Sequence, residues 1–217
     1  AVVPEISSEY NSINDIITLS LDQNKIVGNG IYTANGLLAS SFRNSIGDNQ
    51  KNRKDFAIAL LKKGSNKFKL NDYNEIDFAF KDKPYGINYS FELDNYVVNA
   101  GSESYVNLTL DKPFQNSILE KNRVQTLELN YLQKQLYKVT LEVPSNHKVT
   151  YVPENKSFSN ELLAYDFNYT LVNDKVELSY TIEIKKTLIA PDEFLLWNES
   201  IKKLKENYLE TIIIKHI

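Results

Sequence analysis

The chain of 217 residues suffices for one large or two small domains, and 42% hydrophobic residues provide enough apolar surface for a core. A formal net charge of −3 argues against a general binder of polyanions such as nucleic acid. The absence of cysteine excludes disulfides, thiolate metal sites and a cysteine nucleophile. No apolar run is long enough to span a membrane, no signal peptide is recognisable, and the start at Ala1 without Met suggests a processed end or a fragment.

The first part of the chain is predicted to be a linker followed by a hairpin. Residues 1–14 are polar and irregular, which is typical of a linker. Apolar and polar residues then alternate from Ile17, and a turn at residues 22–24 predicts a hairpin that returns as far as Thr33.

A helical insertion and three further strands complete a predicted β-rich lobe over residues 15–116. The period becomes helical over residues 37–63, in two pieces separated at Gly47-Asp48, and Gly64 is placed to end the second piece. The alternation then resumes in three strands at residues 76–80, 87–93 and 106–110.

The second lobe, residues 117–217, has a more regular pattern. Its strands are predicted at residues 127–131, 137–143, 149–151, 163–171 and 176–185. Asn173-Asp174 can adopt the positive φ angles of a tight turn, so the last two of these strands should form a hairpin.

A helix over residues 191–208 and a final β-branched strand close this lobe. The helix begins at Pro191, and its apolar residues recur at steps of three and four, which defines one buried stripe. The stripe consists of Phe194, the single tryptophan Trp197, Ile201, Leu204 and Tyr208. The fold class expected from these patterns is mainly β, with two antiparallel, sandwich-like sheet lobes that are each partly covered by helix.

The histidines give no indication of a metal site. His147 follows a turn and His216 lies beside the C-terminus, and neither has a second histidine or a carboxylate at ligand spacing along the chain. We therefore expect the protein to hold no tightly bound transition metal.

Two charged segments invite a functional interpretation, but a solvated surface explains each of them better. The polar face of one strand could hold calcium with Asn88, Ser90, Glu92 and Asp94. One helical region is basic, with Lys51, Arg53, Lys54, Lys62 and Lys63, but it lacks interleaved aromatic residues or a nucleic-acid motif. Lys202, Lys203 and Lys205 fit the wet face of the C-terminal helix.

The aromatic strand at Tyr165, Phe167 and Tyr169 could stack a sugar or a peptide, although residues at strict period two more often form a core. No hydrolase elbow, phosphate-binding loop, dinucleotide fingerprint or zinc-protease motif occurs. The sequence therefore predicts no catalytic, cofactor-binding or metal-binding residues, and no cofactor.

From about Arg123 onward the order of signals is similar to that of a known family. A strand over residues 137–144 ends in Val-Pro, a turn follows at Val152-Pro153-Glu154, and Ala190-Pro191-Asp192-Glu193-Phe194 opens the last helix. This resembles the C-terminal domain of unknown function that follows the transglutaminase-like core in a group of secreted bacterial proteins. The preceding section resembles the region that links that core to this domain.

The resemblance implies a non-catalytic structural or interaction module appended to a transglutaminase-like protein, located in the periplasm or on the cell surface. It implies that the upstream transglutaminase-like domain of the same polypeptide is the partner. The catalytic Cys-His-Asp residues of the family belong to that core, so none is carried over to this chain. The alternative is a β-sandwich module that binds a glycan or a peptide, and an enzyme in its own right is the least favoured interpretation.

Overall fold

The computed structural model of the protein describes residues 6–22, 24–46 and 50–217. Gln23 and residues 47–49, where the sequence predicts a turn and a helix break, lie outside the described residues, as does the start of the predicted linker. The elements of the first half are β1 (Ser12–Asp22), β2 (Lys25–Ala34), α1 (Gly36–Ile46), α2 (Gln50–Leu61), β3 (Phe68–Ile76), β4 (Tyr85–Leu93), β5 (Val98–Ala100) and β6 (Glu103–Val106).

The second half is built mainly of strands, followed by one long helix. Its elements are β7 (Leu127–Glu128), β8 (Gln133–Glu142), β9 (His147–Tyr151), β10 (Lys156–Ser159), β11 (Leu163–Val172), β12 (Lys175–Ile184), β13 (Leu188–Ile189), α3 (Phe194–Asn207) and β14 (Ile212–His216). A single 3₁₀ turn, Pro191–Glu193, leads into α3.

Strands from both halves form one eight-stranded sheet in the order β10-β11-β12-β8-β1-β2-β4-β3. The junction is the pairing of β1 with β8, which is parallel and runs from Ser12 opposite Lys134 to Ser20 opposite Glu142. Antiparallel pairing was predicted throughout, and the other described pairs do run antiparallel. The two predicted lobes therefore share a mixed sheet, and a four-stranded sheet in the order β5-β6-β14-β9 lies beside it.

One face of the large sheet is covered and the other is open to solvent. The covered face carries the apolar residues of the alternating strands, and α1, α2 and α3 pack against it. Together with the four-stranded sheet, these helices form the second layer around a single apolar core. The prediction of a mainly β, sandwich-like protein is confirmed.

The prediction of a strand at residues 76–80 is wrong, because β3 ends at Ile76 and residues 77–84 form a loop around Arg43. The guanidinium of Arg43 donates hydrogen bonds to the carbonyl oxygens of Asp77, Phe78, Lys83 and Pro84 at 2.9–3.1 Å. Carbonyl groups that a strand would pair with its neighbour are here satisfied by one buried side chain. The alternating apolar residues of this loop therefore do not indicate a strand.

Two other predicted strands differ from the structure. The strand predicted at residues 106–110 is replaced by one at Glu103–Val106, so that only Val106 is shared, and the strand predicted at residues 127–131 is limited to Leu127–Glu128. After Val106 the side chain of Asn107 accepts a hydrogen bond from the N–H of Thr109 at 2.7 Å, which turns the chain out of the sheet.

The predicted linker is attached to the sheet over its described part. Residues 12–14 already belong to β1. The Ser8 hydroxyl donates to Glu183 at 2.6 Å, and the Lys134 ammonium lies 2.6 Å from the carboxylate of Glu9. The chain thus reaches β1 along the ends of β8 and β12.

The C-terminal helix lies as predicted, with its apolar stripe in the core. Trp197, Ile201 and Leu204 are fully buried, and Phe194 and Tyr208 are nearly so. In the part of the chain that the structure describes, no helix is both long and apolar enough to cross a membrane.

Candidate functional site

The basic residues of the helical insertion do not form one surface. Lys63 points into the core, and Arg53 pairs with Glu75 at 2.9 Å. Lys51 and Lys54 line a shallow pocket beside β3. Carboxylates thus neutralise two of the five predicted cations, which reduces the positive charge that this region presents to solvent.

The acidic residues on the outer face of β4 are also neutralised by neighbours. The carboxylate of Glu92 lies 2.7 Å from the Lys25 ammonium and 2.6 Å from that of Lys69, and hydrogen bonds from these lysines lower the pKa of Glu92 to about 2. Asp94 lies 3.4 Å from Lys25. The polar strand is therefore a solvated, ion-paired face, as the sequence favoured over calcium binding.

The aromatic residues of β11 lie in the core. Tyr165, Phe167 and Tyr169 are 7%, 1% and 7% exposed, and the ring of Phe167 stacks on that of Tyr180 with centroids 5.0 Å apart. They cannot form the exposed aromatic strip on which stacking of a sugar would depend.

The two histidines, which are far apart in sequence, come together in the structure. His147 on β9 lies opposite His216 on β14, and their ring centroids are 5.2 Å apart. Neither histidine has a second histidine nearby along the chain, but the fold brings the two together. No group of three or more His, Asp or Glu residues that could hold a metal occurs among the described residues.

The open face of the large sheet carries a shallow cavity of about 570 Å³ over its β1-β2-β4-β3 half. Ile16 and Ile31, which line it, lie directly opposite each other and are 47% and 51% exposed. Amide and hydroxyl groups surround them, including those of Asn29, Asn74 and Asn88. Asp72, Thr18 and Ser90 also line the cavity, which is an open surface suited to contact.

The most unusual feature is a buried ion triad. The ammonium group of Lys63 lies 2.6 Å from Oδ2 of Asp15 and 2.9 Å from Oδ2 of Asp111. The hydroxyl of Tyr89 donates to the other oxygen of Asp15 at 2.7 Å. The side chains of Lys63 and Asp15 are 1% and 0% exposed and are closed to a substrate, whereas that of Asp111 is 18% exposed.

Two glycines allow the triad to form, one by providing space and the other by turning the chain. Asp15 occupies the covered face of β1 between Ile13 and Ile17, and Tyr89 reaches it from β4 across the intervening strand β2. Tyr89 lies opposite Gly30 of β2, and a Cβ at Gly30 would collide with the Tyr89 ring. Gly64, with φ +68°, turns the chain directly after Lys63 and donates its N–H to the carbonyl of Leu110 at 2.8 Å.

Asp111 belongs to a segment, residues 107–119, that is tied to both halves of the protein and is called the linking segment below. The Tyr180 hydroxyl donates to the backbone oxygen of Asp111 at 2.7 Å, and the Tyr208 hydroxyl donates to that of Pro113 at 2.8 Å. The Trp197 indole N–H donates to the Ser117 carbonyl at 2.7 Å. The predicted domain boundary between residues 116 and 117 lies in this segment and stays a prediction.

The electrostatics of the triad reflect one cation shared by two carboxylates. Burial alone would lower the pKa of Lys63, but the charges of Asp111 and Asp15 outweigh it and raise that pKa. Burial, reinforced by the charge of Asp15, raises the pKa of Asp111 to about 6, although Lys63 acts in the opposite direction. Burial also raises the pKa of Tyr89, so its hydroxyl remains a hydrogen-bond donor at neutral pH.

The raised pKa of Asp111 predicts a pH dependence of stability. The pKa of Asp111 is 3.8 in the unfolded chain and about 6 in the folded protein. At a pH between these two values, the folded protein retains a proton that the unfolded chain has released. The contribution of Asp111 to the free energy of unfolding should therefore fall as the pH rises through this window. Denaturant melts at several pH values should show this fall in the wild type but not in Asp111→Asn. Parallel curves for the two proteins would contradict the prediction.

The triad was not predicted from the sequence, because the two residues of each ion pair are 48 residues apart along the chain. One signal was visible, namely a charged Asp15 at the period of the buried residues Ile13, Ile17 and Leu19. Such a position requires a buried partner, but the sequence does not show which lysine supplies it.

The fold is that of a two-layered, mainly β protein with a mixed sheet. Its most distinctive polar cluster, the buried ion triad, lies in the interior. The chain belongs to a family of domains of unknown function, DUF3858, whose model matches residues 103–214, just over half of the chain. Asp111 lies inside the matched region, whereas Asp15 and Lys63 lie outside it.

One similar solved structure is the crystal structure of a "putative protease" from Parabacteroides distasonis. It is 16% identical, with a TM-score of 0.45, and the match covers 53% of this chain but only 24% of that one. No curated protein matches the chain significantly.

Proposed function

We propose that the chain is a non-catalytic structural and interaction module of a bacterial transglutaminase-like protein in the periplasm or at the cell surface. The observation that carries this proposal is the junction between the family domain and the preceding segment. A continuous sheet and the buried triad of Asp15, Lys63 and Asp111 join the two, which favours one rigid body. A rigid body with an open sheet face is suited to hold a neighbouring domain.

The chemistry of the chain supports a non-catalytic role. It contains no cysteine, and the amine and carboxylates of the triad are packed against one another in the interior. General acid–base catalysis requires groups that reach a substrate, and the buried Lys63 and Asp15 do not.

The proposed partner is the upstream transglutaminase-like domain of the same polypeptide, and its proposed contact is the open sheet face around Ile16 and Ile31. Half-exposed isoleucines that face each other on neighbouring strands offer apolar contact area, and the amide groups around them offer hydrogen bonds. The described start of the chain, held by Glu183 and Lys134, would bring an upstream domain to this sheet.

We expect the isolated chain to show no turnover of amide or ester substrates, and thiol-directed inhibitors to have no effect on it. It should bind a separately produced transglutaminase-like domain encoded by the same gene, as measured by calorimetry. Ile16→Asp and Ile31→Asp should each abolish this binding. Val172→Asp is the matched control, because Val172 is 60% exposed but lies at the β11-β12 turn.

Any of three results would contradict the proposal. The first is robust turnover that a point substitution in this chain abolishes. The second is that the gene encodes no transglutaminase-like domain, and the third is that this domain binds the Ile31→Asp variant as well as the wild type.

A further inference from the structure

The histidine pair at the end of the four-stranded sheet lies beside a hollow that a metal ion could enter. His147 and His216 border a hollow of about 690 Å³, whose other walls include the side chains of Asn24, Asn99 and Ser104. The histidines point to the same face of the sheet because they are cross-strand neighbours. The adjoining Lys148 and Lys215 alternate to the opposite face, so their ammonium groups do not face the hollow.

With its side-chain amide oriented as in the structure, Asn146 sets the tautomer of both rings. Its Oδ1 lies 2.8 Å from Nδ1 of His147, and because an amide oxygen only accepts hydrogen bonds, this Nδ1 carries the proton. Its Nδ2 lies 3.4 Å from Nε2 of His216, and because an amide nitrogen only donates, this Nε2 is unprotonated. Each ring therefore presents an unprotonated Nε2.

The tautomer of His147 is the one that an imidazole bound to a metal through Nε2 requires. A ligating histidine is neutral and usually donates its second ring N–H to an oxygen that fixes its orientation, as His147 does to Asn146. The contact of His216 with Asn146 is long, so an ion could replace it without the loss of a strong hydrogen bond.

We propose that His147 and His216 bind a divalent transition-metal ion, with water in the remaining coordination positions. Imidazole nitrogens favour Cu²⁺, Ni²⁺ and Zn²⁺, and Cu²⁺ should bind most tightly of the three. No third His, Asp or Glu joins the pair within the described parts of the chain, so the ion is exchangeable and the fold does not depend on it.

The test uses the untagged full chain, freed of metal with a chelator and titrated with Cu²⁺ or Zn²⁺ at neutral pH in a calorimeter. The wild type should take up a stoichiometric amount of Cu²⁺, and His147→Gln and His216→Gln should each lose this uptake. Asn146→Ala, which removes the tautomer-fixing carbonyl, should weaken the affinity about tenfold. Asn99→Ala is the control, because Asn99 lines the same hollow without an imidazole.

A measurement on the wild type alone removes any dependence on the folding of the variants. Nuclear magnetic resonance should show the ring signals of both histidines shifting together on addition of Zn²⁺. Absence of uptake, uptake that survives His216→Gln, or a shift of only one histidine would overturn the proposal.

Discussion

Trp197→Ala is expected to lower the free energy of unfolding by about 3–5 kcal/mol, the usual range for removing a large aromatic side chain from a packed core. Trp197 is fully buried in the middle of the α3 stripe, between Phe194 and Ile201. Its indole N–H also satisfies the carbonyl of Ser117 in the linking segment. The substitution therefore removes both packing and one anchor of that segment.

Denaturant unfolding measures this effect, and the single tryptophan provides its own check on burial. The emission of the folded protein should be blue-shifted and should move to the red on unfolding. Both Trp197→Phe and Trp197→Ala leave the Ser117 carbonyl without its indole donor. Trp197→Phe keeps an aromatic ring in the core, so it should lower the free energy of unfolding less than Trp197→Ala.

The matched control must lie on the exposed face of α3. Lys203→Ala is unsuitable, because the Lys203 ammonium lies 5.0 Å from the centroid of the Phe158 ring and can form a cation–π interaction. Lys202→Ala, at an exposed position of the same helix, is the cleaner control and should stay within about 0.5 kcal/mol of wild type. A red-shifted native emission or a harmless Trp197→Ala would show that the stripe faces outward.

Lys63→Met is the second substitution with a large expected effect. Methionine retains most of the apolar stem but removes the charge, and this leaves Asp15 and Asp111 facing each other without a cation. Removing one partner of a buried ion pair typically costs about 3–5 kcal/mol. Lys62→Ala, at the exposed neighbouring position, should change stability by less than about 0.5 kcal/mol.

A compensating variant distinguishes an unpaired charge from a simple loss of packing. Asp15→Asn and Asp111→Asn, added to Lys63→Met, remove both carboxylates and should restore part of the lost stability. If Lys63→Met alone is as stable as the wild type, the triad does not hold the two halves together. If the triple variant is no more stable than Lys63→Met, packing rather than charge explains the loss.

The long strands and the C-terminal helix could be predicted because their signals are local. The alternation in β8, β11 and β12 and the stripe of α3 extend over many residues, and in each case the structure buries the predicted face. The loop at residues 77–84 shows the limit of such reasoning. There a distant side chain, Arg43, takes the hydrogen bonds that the pattern assigned to a strand.

The contacts that define the candidate sites are not local, and this is why the sequence did not reveal them. The parallel pairing of β1 with β8 and the approach of His147 to His216 depend on how the sheets are ordered. Residue types alone suggest neither. A charged residue at a buried period, such as Asp15, is the one local sign that a distant partner exists.

The position of β1 has a consequence for the matched family region taken by itself. Residues 103–214 contain β8 but not β1, the strand that pairs with one whole side of β8. Cut out at residue 103, this domain would present β8 as a long, unprotected edge strand, and natural proteins avoid such edges because they recruit strands from other molecules. The isolated family domain would then self-associate along that edge or capture a replacement strand, whereas the chain that includes β1 carries its own edge protection.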